Sequence, residues 1–448
     1  MKQYAEYRGF NDVWIDSIPA HWKTHKMKYL FNERSEKGYP DETLLVASQN
    51  MGVVPKNVYG NRTVEAQKDL HLLKLVKAGD FVISLRSFQG GLEYAYYQGI
   101  ISPAYTVLTP RIPITAGYFR YLAKSKLFIE LLTLCVTGIR EGQNVDYRKL
   151  RDHLLPVPSH TEQEQIVRYL DWQVSKINRL IAAKRKQIKL LNAQKHALVS
   201  HYVTRGLAEN APLKNSGVNW LSAIPAHWSI RKLRTLLTPY SEKNQPNLPL
   251  LSVVREKGVI VRNVEDTEEN HNFIPDDLSG YKVVRKDQFV INKMKSWQGS
   301  YGIAPCDGIV SPAYFVFDID FDNLEYFHYA IRSKIYVNFF AQASDGIRVG
   351  QWDLSIDKMK DIPFIIPPSN EQAEIVSRIK KEIAKTQEAI SGVEKQISAL
   401  EELRTRLISD VVTGQIDVRN IKVPDFEYVN EETIDDSIEE ELEENEEE

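Results

Sequence analysis

Apolar residues recur at steps of three and four along two long stretches of this chain, and the two stretches match. The first, over about 161–204, has a seam of Ile166, Leu170, Val174, Ile177, Ile181, Lys184, Ile188, Leu191, Lys195, Leu198 and Tyr202. The second, over about 370–413, has Ile375, Ile379, Ile383, Thr386, Ile390, Val393, Ile397, Leu400, Arg404, Leu407 and Val411, each 209 residues after its counterpart. This spacing is that of a coiled coil. Neither stretch contains Pro, and each is followed by a helix-stopping glycine, Gly206 or Gly414. Equal length and register predict that the two helices pair with each other, and a pseudo-two-fold relation makes them antiparallel. A helix of about 44 residues is roughly 66 Å long, longer than the roughly 34–36 Å of one DNA turn.

The repeat extends well beyond the helices. WIDSIPAHW at 14–22 is answered by WLSAIPAHW at 220–228, and LVKAGDFVI at 75–83 by VVRKDQFVI at 283–291. Gln89-Gly90 is answered by Gln298-Gly299, GIISPAY at 99–105 by GIVSPAY at 308–314, and GIREGQ at 138–143 by GIRVGQ at 346–351. PSHTEQEQIV at 158–167 parallels PPSNEQAEIV at 367–376, whereas 58–72 and 264–280 share little. One scaffold is therefore present twice with different surfaces. The expected fold is α+β: two tandem mixed α/β heads joined by two long helices that form an antiparallel coiled coil. The expected segments are a first head over 1–160, a helix over 161–205, a second head over 206–368, a helix over 369–415 and an acidic, disordered tail over 416–448.

Charge changes the picture at one place. The formal net charge is −3, but 424–448 holds fourteen Asp or Glu and no Lys or Arg. The rest carries 57 basic against 46 acidic residues, a surplus of eleven that suits a polyanionic partner. The acidic run is expected to be a solubilising disordered segment, with shielding of a basic reading face as the alternative. Cys135 and Cys306 stand alone, without a CxxC or a His cluster, which fits a reducing cytoplasm and no zinc site. No stretch reaches 18 uninterrupted apolar residues, so no membrane span is expected.

The order IPAHW, a Phe-Val-Ile strand, QG, GI(I/V)SPAY, GIR-x-GQ, a Pro-rich turn, EQ-x-x-IV and a long helix, all twice over, resembles the specificity subunit of type I restriction–modification systems, the HsdS family. The likeness covers residues 14 to about 416 and is strongest at INKMKSWQGSYGIAPCDGIVSPAYFVF, 291–317. The first copy departs from the pattern, with SLRSFQGGLEY against NKMKSWQGSYG. The resemblance implies that each head reads one half of a split, asymmetric site in double-stranded DNA. It implies that the helices act as spacer and dock two methyltransferase subunits, with two ATP-dependent restriction subunits joining them. S-adenosylmethionine, ATP and Mg would sit on those partners, and none on this chain.

No catalytic signature stands beside this reading. There is no (D/N)PP(Y/F), no GxxxxGK(S/T), no HExxH and no GxSxG, and the dipeptide Gly-Lys never occurs. His21 and His227 are lone histidines beside Trp22 and Trp228, expected to pack or hydrogen-bond rather than to hold metal. Lys and Arg neutralise phosphates, while Arg, Lys, Gln and Asn read base edges. Two loops per copy carry such residues: Arg86, Ser87 and Gln89, then Arg140, Gln143 and Asn144; and Lys293, Lys295, Ser296 and Gln298, then Arg348, Gln351 and Trp352. Residues shared by the copies, such as Gln89/Gln298 and Arg140/Arg348, also read as loop braces, and the divergent ones as discriminators. Two rivals remain at this stage: a coiled-coil adaptor whose heads bind proteins, and a single-chain DNA-modifying enzyme.

Overall fold

The computed structural model describes residues 2–59, 69–137, 144–208, 210–218, 221–255, 257–263, 275, 277–346 and 352–429. The chain forms two compact units, 1–186 with 394–448, and 187–393. These do not follow the element boundaries at 160, 205, 368 and 415; each unit takes one half of each long helix.

Unit 1 is built on a four-stranded antiparallel sheet of β1 (Phe31–Arg34), β2 (Phe81–Ile83), β3 (Glu93–Tyr94) and β4 (Thr106–Pro110), in the order β1-β4-β2-β3. Successive side chains of a strand point to opposite faces, and here both faces are covered. Phe31, Phe81, Ile83 and Leu108 join a large core with helices α1 (Ala116–Lys124) and α2 (Lys126–Leu134). Val82 and Val107 join a smaller core with Leu45, Val53 and Ile101 on the other side. That double burial is why the FVI string is an unbroken apolar run. The first half of the long helix α3 (His160–Arg205) and the last turns of the second long helix, at Leu407, Val411 and Val412, enter the large core.

Unit 2 repeats the plan. Its sheet is β5 (Leu237–Tyr240), β6 (Phe289–Asn292), β7 (Tyr301–Ile303) and β8 (Tyr314–Ile319), in the order β5-β8-β6-β7. Phe289, Ile291 and Phe317 face helices α4 (Leu324–Ile331) and α5 (Lys334–Gln342), and Val290 and Val316 face the smaller core. The second long helix is α6 (Ser369–Val412), and Ile375, Val376 and Ile379 near its start share the large core with Val203 near the end of α3.

The long helices pack together, in opposite senses of sequence. In unit 1, Arg404 Nη1 donates to Asn178 Oδ1 at 2.7 Å, and Arg185 lies 3.7 Å from Glu401. In unit 2, Arg378 Nε donates to the Tyr202 hydroxyl at 3.4 Å, while Lys195 and Leu198 lie beside Glu382 and Ile383. Of the expected seam, Ile166, Leu170, Ile177, Ile181, Ile375, Ile379, Ile390 and Leu407 are buried, and Ile188, Leu191, Leu198, Ile397 and Leu400 are half-buried.

A polar clasp holds each helix start. In unit 1, the Glu162 carboxylate in the first turn of α3 accepts from Trp22 Nε1 at 3.0 Å and from the Tyr4 hydroxyl at 2.8 Å, with His21 Nε2 at 2.9 Å. Burial and the neighbouring carboxylate push the Tyr4 phenol far above its ordinary pKa, so it stays a donor. In unit 2, Glu371 accepts from Trp228 Nε1 at 2.8 Å, with His227 Nε2 at 2.5 Å. The lone histidines are thus bound to carboxylates. The end of the opposing helix arrives at the same indole. Gly414 (φ +79°) follows α6 so closely over Pro19 and Trp22 that an added Cβ would lie 2.3 Å from Pro19 Cδ. Gly206 (φ +75°) follows α3 against Trp228, where the added Cβ would meet the ring at 3.0 Å. Left-handed φ and lack of space both require glycine at these helix ends.

One expectation is corrected here. Residues 416–429, expected in the disordered tail, lie along the first half of α3, because Val418 is fully buried and Ile416, Ile421 and Val423 pack on the unit 1 core. Residues 430–448, the bulk of the expected tail, lie outside the described residues.

The clasps make a graded prediction. The Glu162 side chain is 4% exposed and that of Glu371 30%. Glu162→Ala strands two buried donors and is expected to cost about 2–4 kcal/mol, while water offsets part of the loss in Glu371→Ala, about 1–2 kcal/mol. Urea unfolding of the two variants checks this; equal losses, or none, would contradict the clasp.

Candidate nucleic-acid interface

Each sheet delivers a loop between its second and third strands, and that loop carries the first group of expected readers. In unit 1 it runs from Ser84 to Leu92. Ser84 N donates to Ser87 Oγ at 2.8 Å, and the two hydroxyls lie 3.3 Å apart, closing the turn inside the protein. Gly91 (φ +81°) brings the chain so near α1 that an added Cβ would lie 2.1 Å from the Ala123 carbonyl oxygen. Lys124, at the end of α1, reaches under the loop. Its Nζ donates to the carbonyls of Gly90 and Gln49, both at 2.9 Å, and to Glu93 Oε1 and Oε2 at 2.7 and 2.8 Å. Burial pushes the Glu93 carboxyl up to about 7 and pulls the Lys124 ammonium down, although each partner's charge opposes the other's shift. Arg86 and Gln89 stand exposed on this braced turn.

The unit 2 loop runs from Lys293 to Ser300. Ser296 Oγ is fully buried, donating to the Lys293 carbonyl at 3.4 Å and lying 3.3 Å from Ser344 Oγ. Arg332, the counterpart of Lys124, donates from Nη1 to the Tyr301 carbonyl at 2.6 Å and from Nη2 to the Arg255 carbonyl at 2.9 Å. Lys295 is exposed and Gln298 half-exposed. Lys293 is engaged, with Nζ 2.6 Å from Asp353.

The described members of the second group of expected readers, Asn144 and Trp352, come from strands beside the first group in both units. In unit 1 the turn Ser87–Gly90 lies next to the strand Asn144–Val145, which pairs antiparallel with Val136–Thr137. Asn144 is half-exposed. In unit 2, Ser344–Asp345 pairs with Asp353–Leu354 in the same way, and Leu354 N donates to the Lys293 carbonyl at 3.0 Å. Trp352 meets Trp297 with ring centroids 5.2 Å apart, and both indoles are half-exposed beside Met294, 53% exposed. Arg140, Gln143, Arg348 and Gln351, with most of both GIR-x-GQ strings and much of the divergent 58–72 and 264–280 stretches, lie outside the described residues.

Two expected readers are corrected. Ser87 is 1% exposed and Ser296 0%, and their hydroxyls are used to shape their own loops, so neither offers a surface to a base or a phosphate. The sequence reading also passed over Lys124, Arg332 and Trp297. A signal for the first two was present: the strings YLAKSKL at 121–127 and YAIRSKI at 329–335 place a cation at matched positions. Trp297 stands where the first copy has Phe88, which turns inward on the core.

The assembled loops offer hydrogen-bond donors and acceptors, cations and, in unit 2, an aromatic pair. These are groups that neutralise phosphates, read base edges and stack on bases. Among the described residues, no three His, Cys, Asp or Glu side chains gather as a metal site, and no helix is long and apolar enough to cross a membrane.

No family model matches the chain. It is 21% identical over 454 residues to a Methanocaldococcus jannaschii protein assigned as the type I restriction enzyme MjaX specificity subunit, covering 93% of this chain and 99% of the relative. It is 23% identical over 367 residues to the MjaVIII specificity subunit of the same organism, covering 78% and 81%. Among solved structures, it matches a chain from work on complex assembly and conformational transition of the type I R-M system. That match has a TM-score of 0.57 at 11% identity, over 89% of this chain and 99% of the other, and is a likeness of fold.

The Lys124 brace is open to test. Lys124→Met leaves Glu93 buried without its counter-charge, with an expected loss of about 2–4 kcal/mol and faster tryptic cleavage after Arg86. Lys124→Met/Glu93→Leu should recover most of the stability while the loop stays susceptible. A single variant as stable and protease-resistant as the parent would remove the brace from the account.

Proposed function

We infer that this chain, a member of the HsdS family of type I restriction–modification specificity subunits, is the part of its complex that recognises DNA sequence. The two heads, 1–160 and 206–368, each read one half of a bipartite, asymmetric site in duplex DNA. The helices form an antiparallel coiled coil that sets the spacing between halves and docks two methyltransferase subunits. Leu180 and Leu190, 51% and 54% exposed on α3, suit that docking. Two ATP-dependent restriction subunits complete the complex. Methyl transfer from S-adenosylmethionine, and ATP and Mg chemistry, belong to those partners, and this chain has no catalytic role.

The observation that carries the reading is a repeated frame with unlike tips. Strand order, the clasped helix start and the cationic brace recur in both units, while the tips differ around a shared glutamine, Gln89 or Gln298: exposed Arg86 and half-exposed Asn144 in one, exposed Lys295 and half-exposed Trp352 in the other. A frame held constant under changing tips is what two readers of different sequences need. The remaining candidates, Arg140, Gln143, Arg348 and Gln351, belong to the same proposal as phosphate or base partners.

The test is an adenine-methylation map of DNA from cells expressing this chain with its methyltransferase partner, beside cells lacking only this chain. A split motif with a fixed gap is expected in the first and none in the second; methylation that persists without the chain would overturn the reading. Arg86→Ala and Lys295→Ala should each relax one half alone, weakening binding by about 1–3 kcal/mol for each base pair that is no longer read.

A further inference from the structure

The loop of unit 2 ends in carbon. Trp297 and Trp352 meet with ring centroids 5.2 Å apart and planes inclined by 55°, and Met294 stands 53% exposed on the same turn. Trp297 spends its indole N–H on the Met294 carbonyl at 3.1 Å, so the part of this ring that meets solvent offers no donor. The support beneath is stiff. Ser296 is buried against Ser344, Leu354 N donates to the Lys293 carbonyl, and Arg332 holds the carbonyl of Tyr301 just after the loop. Unit 1 has no such surface among its described residues. Its loop is one residue shorter, and Phe88, in the place of Trp297, packs on the core. Asn144 stands where unit 2 has Trp352, and of the apolar side chains on that turn only Leu85 is exposed.

An outward cluster of two indoles and a methionine suits a partner that covers it with carbon. Its border admits a polyanion. Asp345 and Asp353 lie opposite each other on the adjoining strand pair, but Lys358 Nζ is 2.6 Å from the first and Lys293 Nζ 2.6 Å from the second. Lys295 adds an exposed cation on the same loop. Duplex DNA meets this combination in one way. Its base faces are stacked on one another and closed to a side chain, which leaves the base edges in the grooves. Among those edges, carbon is presented by the 5-methyl group of thymine in the major groove. Two tilted rings suit a group the size of a methyl better than they suit the flat face of a base.

We propose that Trp297, Trp352 and Met294 form a receptor for the 5-methyl group of thymine, so that the half-site read by unit 2 contains a thymine recognised by its methyl. The proposal rests on the assignment of unit 2 as the reader of one half-site, and adds the base that its apolar cluster selects. Cytosine at that position would bring an amino donor and no methyl to the rings, and adenine or guanine a polar edge. Each would lose the apolar contact and bury polar groups without hydrogen-bond partners. Lys295 and Gln298, on the same turn, are left to hold a phosphate or a neighbouring base edge.

The test uses the full chain in complex with its methyltransferase partner, and duplexes carrying the site given by the methylation map. Each thymine of the site, on either strand, is replaced in turn by deoxyuridine, which keeps the base pair and removes only the methyl. Binding is expected to weaken roughly three- to tenfold at one thymine, or at adjacent thymines, of a single half. Trp352→Ala should bind the thymine and uracil duplexes alike at that position, and Met294→Ala should lose part of the difference. The readout is the ratio of the two affinities, which a general loss of binding does not move, and Met294 at the exposed tip keeps the test open should Trp352→Ala fail to fold. Uracil tolerated at every position, or a uracil penalty unchanged in the variants, would overturn the receptor while the split motif still stands. A map with no split motif would overturn the receptor and the assignment of the heads together.

Discussion

In each unit the start of one long helix and the end of the other converge on a single buried indole. Trp22 donates to the Glu162 carboxylate of α3 and lies against Gly414 at the end of α6. Trp228 donates to Glu371 of α6 and lies against Gly206 at the end of α3. A buried carboxylate needs its donors, and a helix end pressed on a ring needs a residue without a side chain. These demands fix which ends meet. Two tyrosines add to the same junctions: Tyr118 donates to the Val412 carbonyl at 2.9 Å and Tyr326 to that of Val203 at 3.3 Å. The opposed packing of the helices follows within each unit from how its head grips them.

The loops between the second and third strands of each sheet inherit this rigidity. Each sheet is buried on both faces, its second strand leads into the loop, and a cation at the end of the adjoining helix donates to the carbonyl of Gly90 within one loop and to that of Tyr301 just after the other. Among the described residues of these two loops, the tips carry different side chains. Such a division lets one fold present two chemistries, a cation and amide surface in unit 1 and a surface with a tryptophan pair in unit 2. Residues 416–429 add an asymmetry of another kind, since among the described residues only α3 has such a segment laid along it.

Much of this was legible because repetition is legible. The seam spacing, the strands and the helix-stopping glycines are periodic or paired signals, and chain order alone exposes them. The serines of SFQG and SWQG misled because a small polar residue in a loop looks the same whether it faces water or closes a turn; only the burial of Ser87 and Ser296 distinguishes the two. Lys124 and Arg332 were missed because they sit on helices, far in sequence from the loops they hold. The order of 416–429 was hidden by the acidic run that follows, which dominates composition, although Val418, Ile421 and Val423 supply the apolar packing.

Exchange of one head tests the central claim most directly. Residues 1–160 would be replaced by the corresponding head of a family member with a different target, and adenine methylation mapped in cells carrying the methyltransferase partner. If each head reads its own half-site, one half of the motif changes while the other half and the gap stay as they were. If both halves change together, or neither does, the two heads are not independent readers and the account is wrong.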